Sequence, residues 1–204
     1  MKHVATLGTT RVVYLKEVPE VLGDLFWSVW ANRTYGATPD ITVGPRPVPD
    51  NVLLFALGDD EDGLCGGVLV DEMNRTHGRL ALHVAVMPGK ERKGHAWRGL
   101  LVVGATLCDS FGYERISTYS FPGAPGATVA EAMGLKPEGR MQGFTLTPEG
   151  RKDMLVLGGL WSRLKKQHAT EISKIKWETP NGLEDDNGKR VQRIRPKKSA
   201  GQVR

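Results

Sequence analysis

The stretch Val84-Ala85-Val86-Met87-Pro88-Gly89-Lys90-Glu91-Arg92-Lys93-Gly94-His95-Ala96-Trp97 carries the clearest chemical signal in the chain. An apolar strand runs into a polar, glycine-containing turn, and a long apolar helix follows. Such a junction suits a phosphate. The strand delivers the turn to the sheet edge, glycine lets the backbone approach a ligand closely, and the first amides of the helix have no intrahelical partner. The helix dipole adds partial positive charge there, and Lys90, Arg92 and Lys93 add whole charges. Just upstream, His83 is the only ionisable group between Leu80 and Met87. Histidine can take a proton near neutral pH, so two readings stand for it: a general base, or a hydrogen-bonded residue of the core.

The turn resembles the diphosphate-binding motif of the GCN5-related N-acetyltransferases, roughly Val-x-Pro-x-x-(Arg/Gln)-x-x-Gly-x-(Gly/Ala). Val86, Pro88, Gly94 and Ala96 fall in register, while Glu91 stands at the Arg or Gln position with Arg92 beside it. A second segment, Gly134-Leu135-Lys136-Pro137-Glu138-Gly139, is similar to the family's Gly-Phe-x-x-x-Gly element some forty residues later. The resemblance covers residues 11 to 158 and implies a mixed α/β fold: a mostly antiparallel central sheet, flanked by helices and splayed between its two central strands. It implies acetyl-CoA as co-substrate, with the pantetheine arm in the splay. Val86, Glu91, Arg92, Lys93, Gly94, His95 and Ala96 would hold the diphosphate, chiefly through backbone amides. His83 lies on the strand that often carries the group deprotonating the acceptor amine. The family's tyrosine that protonates the leaving thiolate falls at Ala130, which leaves Tyr119 or solvent to supply that proton. Tyr35, in a proline-interrupted region from Asn32 to Asn51, falls where the family covers its acceptor; a solvated loop is the other reading.

The elements that must position these groups follow from periodicity. Arg11 to Leu15 reads as a first strand, and Pro19 opens a helix with Val21, Leu22, Leu25, Phe26, Val29 and Trp30 on one face. Val52–Leu57 and Leu64–Val70 form a hairpin about the acidic turn Asp59–Gly63, which lacks calcium-loop spacing and reads as solvated. Arg79 to Met87 is a strand with Leu80, Leu82, Val84 and Val86 on one face and His83 on the other, unless a β-bulge interrupts the alternation. A helix from His95 to Ser110 and a strand from Arg115 to Ser120 then imply a parallel crossover. A short helix from Gly126 to Met133 and a hairpin of Met141–Thr147 with Lys152–Leu157 close the domain.

Composition sets the bounds. At 204 residues and 40% hydrophobic content the chain suffices for one core plus a tail. No apolar run is long enough to span a bilayer, and the N-terminus lacks the apolar core of a signal peptide, so a cytoplasmic location and no membrane partner are expected (the host cytoplasm, if phage-encoded). Cys65 and Cys108 read as reduced, buried and small. His3, His77, His83, His95 and His168 show no ligand spacing, so no metal is implied. Residues 161–204 hold 12 Lys and Arg against 5 Asp and Glu, whereas the preceding residues hold 16 against 18. The chain thus divides into a domain over residues 1–160 and a basic tail over 161–204, helical to Trp177 and then disordered. That tail either solubilises the protein or neutralises nucleic-acid phosphates without regard to sequence.

Three functions fit. The first is acetyl transfer from acetyl-CoA to an amine, on a small or macromolecular acceptor. The second keeps the fold but modifies DNA bases, as some phage proteins that look like this superfamily do. The third is a catalytically inactive scaffold with a nucleic-acid-binding arm.

Overall fold

The computed structural model describes residues 2–16, 52–87, 89–91, 93–147 and 150–178. In order, the elements are β1 (Lys2–Leu7), β2 (Thr10–Leu15), β3 (Leu53–Asp59), β4 (Gly63–Asn74), β5 (Arg79–Val86), α1 (His95–Phe111), β6 (Arg115–Ser120), α2 (Pro125–Ala132), β7 (Lys136–Thr147), β8 (Gly150–Leu160), α3 (Trp161–Gln167), α4 (Ala169–Ser173) and β9 (Lys176–Trp177). The predicted hairpin, crossover helix and following strand are all present as β3–β4, α1 and β6. The helix expected from Pro19 and the loop bearing Tyr35 lie outside the described residues.

Among the described residues the strands form one sheet in the order β7-β8-β6-β5-β4-β3-β2-β1-β9. Only β5 and β6 are parallel; the other neighbours are antiparallel, and several are joined by tight turns. A parallel pair needs a crossover, and α1 supplies it. The side chains alternate as the period of two requires. Phe55, Leu57, Val68, Val70, Leu80, Leu82 and Ile116 join α1 in the main core, while Leu15, Leu54, Ala56 and Leu69 make a smaller cluster on the opposite face. α1 is buried along most of its circumference, from His95 to Cys108, which explains its near-continuous apolar run.

The parallel pairing of β5 with β6 is short. It comprises Arg79↔Arg115, Leu80↔Ile116 and Ala81↔Ser117 and then stops. β5 nevertheless stays on β4 as far as Gly66↔Val86, and β6 stays on β8 as far as Ser120↔Leu155. The two central strands therefore separate beyond Ala81 and Ser117. The sheet is splayed where the resemblance requires it.

Two strands were not legible as such: β1, and β9, which pairs with β1 through Ala5↔Trp177 and Thr6↔Lys176. The segment following Leu160 packs into the domain rather than leaving it. Trp161, Leu164 and Ile175 are in the main core, and Asp109 of α1 accepts hydrogen bonds from Trp161 Nε1 (2.8 Å) and Lys165 Nζ (2.9 Å). The packed unit thus runs through β9. The basic residues from Lys189 onward lie outside the described residues.

Candidate active site

The notch between β5 and β6 is bridged at its closed end by two rings. Ala81 and Ser117 are the last paired residues, and two residues further on each strand the same-face positions are His83 and Tyr119. Their rings stack, with centroids 6.0 Å apart and planes 18° apart. Both project on the face opposite α1. β5 keeps its regular alternation, so the bulge considered for this strand is found instead on its neighbour: β4 carries an extra residue between Asp71 and Asn74.

That bulge builds the site. Asp71, 11% exposed, places Oδ1 at 3.1 Å from Nε2 of His83, which is 5% exposed. With the Asp71 carboxylate accepting the Nε2 proton, the neutral ring carries its lone pair on Nδ1. The next residue, Glu72, sits at φ +48°, a left-handed conformation that costs a non-glycine residue roughly 1–3 kcal/mol. The twist lets Glu72 Oε2 accept a hydrogen bond from the Tyr119 hydroxyl at 3.0 Å. Asp71 and Glu72 were missed from the sequence because they lie on a strand whose bulge no local pattern announces. His83 and Tyr119, nominated independently, are brought together.

The predicted phosphate turn is a glycine-opened helix start. Gly94 caps α1 at φ +78°, contributes no side-chain cap, and accepts the Arg98 amide at 3.0 Å. The first-turn amides have no partner within the helix, as the motif demands. Val86 ends β5, Glu91 is exposed, Ala96 is buried, and Arg92 and Pro88 lie outside the described residues. The His95 side chain departs from expectation: it is 2% exposed and turns inward, with Nδ1 2.9 Å from Thr10 Oγ1. Only its backbone can serve an anion at the surface.

In the acidic turn between β3 and β4, Asp60 and Glu61 are exposed as expected, and Asp62 departs. Rather than being solvated, the Asp62 side chain is 13% exposed and lies under the glycine turn, 3.0 Å from Lys90 Nζ and 2.7 Å from Lys93 Nζ. The Lys93 and Lys90 ammonium groups hold its carboxyl down at about 2, and the same contact raises the basicity of Lys93. Two of the turn's cations are already paired within the chain. A phosphate here must rely on the backbone amides and compete with Asp62 for the lysines. Between the two regions, Gly66 permits β4 to approach β5 closely: a Cβ there would lie 2.3 Å from the Ala85 carbonyl oxygen.

This arrangement, a splayed sheet with a glycine-capped helix at its mouth, is the fold of the GCN5-related N-acetyltransferases. The chain is similar to a mutant form of the spermidine/spermine N-acetyltransferase SpeG from Vibrio cholerae, with TM-score 0.59 and 16% identity over 78% of this chain and 98% of that one. A dodecameric spermidine N-acetyltransferase from the same organism gives the same values. A protein described as a probable acetyltransferase gives TM-score 0.52 and 16% identity over 56% of this chain and 64% of that one. No protein-family model and no curated protein sequence matches the chain. The likeness is one of fold. Among the described residues no helix is long and apolar enough to cross a membrane.

Proposed function

We propose that the chain is an acyl-CoA-dependent N-acyltransferase that moves an acetyl group from acetyl-CoA to an amine. The observation that carries this reading is the end of β5–β6 pairing at Ala81↔Ser117, with His83 and Tyr119 immediately beyond it. A pantetheine arm in a splay of this kind can pair with the free edge of a strand and so bring its thioester to the two rings. Bound acetyl-CoA supplies an activated acyl group; the chain positions it and moves protons. His83, oriented by Asp71, takes the proton from the attacking nitrogen at Nδ1 as the new C–N bond forms and the C–S bond breaks. Tyr119 or solvent returns a proton to the departing thiolate, and Glu72 stands ready to share the Tyr119 proton. The carboxylates Asp71 and Glu72 favour an acceptor that arrives as an ammonium ion. The SpeG structures are of spermidine acetyltransferases, whose substrate is of that kind.

Calorimetric titration with acetyl-CoA, run beside a Gly94→Glu variant, tests the reading. Binding by the intact protein that disappears in the variant supports it, because the new carboxylate would meet the phosphates. Absence of binding by the intact protein would overturn it. A screen of polyamines and other primary amines for release of free coenzyme A thiol then identifies the acceptor.

A further inference from the structure

Beneath the glycine turn, three donors of different chemistry converge. One ligand atom from each of Asp62, Cys65 and His95 lies within 4.8 Å of the others. Asp62 comes from the β3–β4 turn, Cys65 from the start of β4 and His95 from the first residue of α1. His95 is 2% exposed, and its Nε2 is buried with no hydrogen-bond partner. The nearest carboxylate oxygen, Asp62 Oδ2, stands 3.5 Å away, too far for a good hydrogen bond. A buried imidazole nitrogen left without a partner costs about 1–3 kcal/mol, and native interiors rarely tolerate it without a reason.

We propose that Asp62, Cys65 and His95 form a binding site for a divalent transition-metal cation, zinc foremost. The donor set argues for that class of ion. One thiolate, one imidazole and one carboxylate suit a borderline-soft metal in tetrahedral coordination, with a fourth position left for water. A single carboxylate cannot satisfy calcium or magnesium, which need several oxygens. The second nitrogen behaves as in established metal sites: His95 Nδ1 is held by the hydroxyl of Thr10, itself fully buried, and this aims Nε2 at Asp62 and Cys65. The Asp62 carboxylate and a Cys65 thiolate, formed as the thiol proton leaves to solvent, would supply two anionic ligands to a divalent ion, the carboxylate remaining shared with Lys90 and Lys93. Lys93 now contacts both Asp62 oxygens, and metal on Oδ2 leaves Oδ1 to the two lysines. The site draws on β2, the β3–β4 turn, β4 and α1, so an ion there would brace the phosphate turn from below. Sequence reasoning excluded a metal because it looked for paired histidines; this set has one ligand of each type, spread over two elements and oriented by a third. The inference does not depend on the acyltransferase reading.

The test uses the full-length chain stripped with a chelator and titrated with zinc chloride by calorimetry and with cobalt chloride by absorption. One equivalent of zinc is expected to bind, with a cobalt complex showing thiolate-to-metal charge transfer and the intense visible bands of four-coordination. Cys65→Ala should abolish the charge-transfer band and Cys108→Ala should keep it. Thr10→Val, which retains the ligands but loses the hydroxyl, should weaken zinc binding by about tenfold to a hundredfold. Circular dichroism checks that the variants fold, and the cobalt spectrum of the unaltered chain decides the matter even if Cys65→Ala does not fold. The proposal is overturned if no saturable uptake occurs, if the cobalt spectrum is that of oxygen ligands alone, or if uptake survives Cys65→Ala, which would mark surface binding.

Discussion

Two histidines meet two aspartates near the ends of β4, and the pairs differ in a way that separates their chemistry. At the far end, Asp71 lies 3.1 Å from His83 Nε2, close enough to fix the tautomer of a ring that faces the splay. At the near end, Asp62 lies 3.5 Å from His95 Nε2, and its oxygens are engaged by Lys90 and Lys93. The first pair is a complete hydrogen-bonded couple. The second leaves a nitrogen bare beside a thiol. Residue type does not distinguish them; the His–Asp distance and the two lysines on Asp62 do. A His–Asp couple at hydrogen-bond distance is suited to move a proton, while one whose carboxylate stands further off and serves two lysines leaves its imidazole available to another electrophile.

The comparison can be broken most severely at His83. His83→Ala is expected to lower kcat/KM by about 10²- to 10⁴-fold, the ordinary worth of a general base, while calorimetry finds acetyl-CoA affinity unchanged. Loss of cofactor binding instead would place His83 in the core rather than in the chemistry. Next in size is Gly66→Ala, because this residue sets the close approach of β4 to β5 between the two pairs. The added methyl meets the Ala85 carbonyl, and a destabilisation of about 1–3 kcal/mol is expected in urea unfolding.

Asp62→Asn sharpens the near end. Freed of their internal carboxylate, Lys90 and Lys93 should bind acetyl-CoA about twofold to fivefold more tightly, the scale of a partly exposed ion pair. Acid titration gives a second readout. The Asp62 carboxyl sits at about 2 in the folded chain, against roughly 3.9 when unfolded, so its contribution to stability is full above about 4 and is lost as pH falls through the folded value. The asparagine variant should lack that part of the acid transition. The smallest effect is expected for Tyr119→Phe, which removes the hydrogen bond to Glu72 at an exposed position. Thermal unfolding should register roughly 0.5 kcal/mol, the low end for such a bond, and a larger loss would mean that the strained Glu72 backbone depends on it.

The fold was legible where local physics governs. Alternation marked β3, β4 and β5, the apolar run between Gly94 and Gly112 marked α1, and the strand–helix–strand order implied the parallel crossover that the structure shows. β1 was missed because Lys2–Leu7 is short and only half apolar, and it earns its place by pairing with β2 and β9. Trp161 and Leu164 were assigned to a tail because the surrounding lysines dominate that stretch; three-dimensional packing on α1 outweighs the local charge. The candidate site divides in the same way. His83 and the glycine turn announced themselves by type and neighbours and Tyr119 entered only through the family resemblance, whereas Asp62, Asp71 and Glu72 looked like ordinary polar residues at strand ends.

By itself, the sequence determined the order of strands and helices from β3 to β8, the glycine-opened helix start and the presence of a lone histidine on an apolar strand, because each depends on contacts within a few residues. Only the tertiary structure decided which acid meets which histidine. That depends on where β4 bulges, on how closely Gly66 lets it approach β5, and on which lysines reach the carboxylate first. Those are distances between segments far apart in the chain, set by packing of the whole sheet.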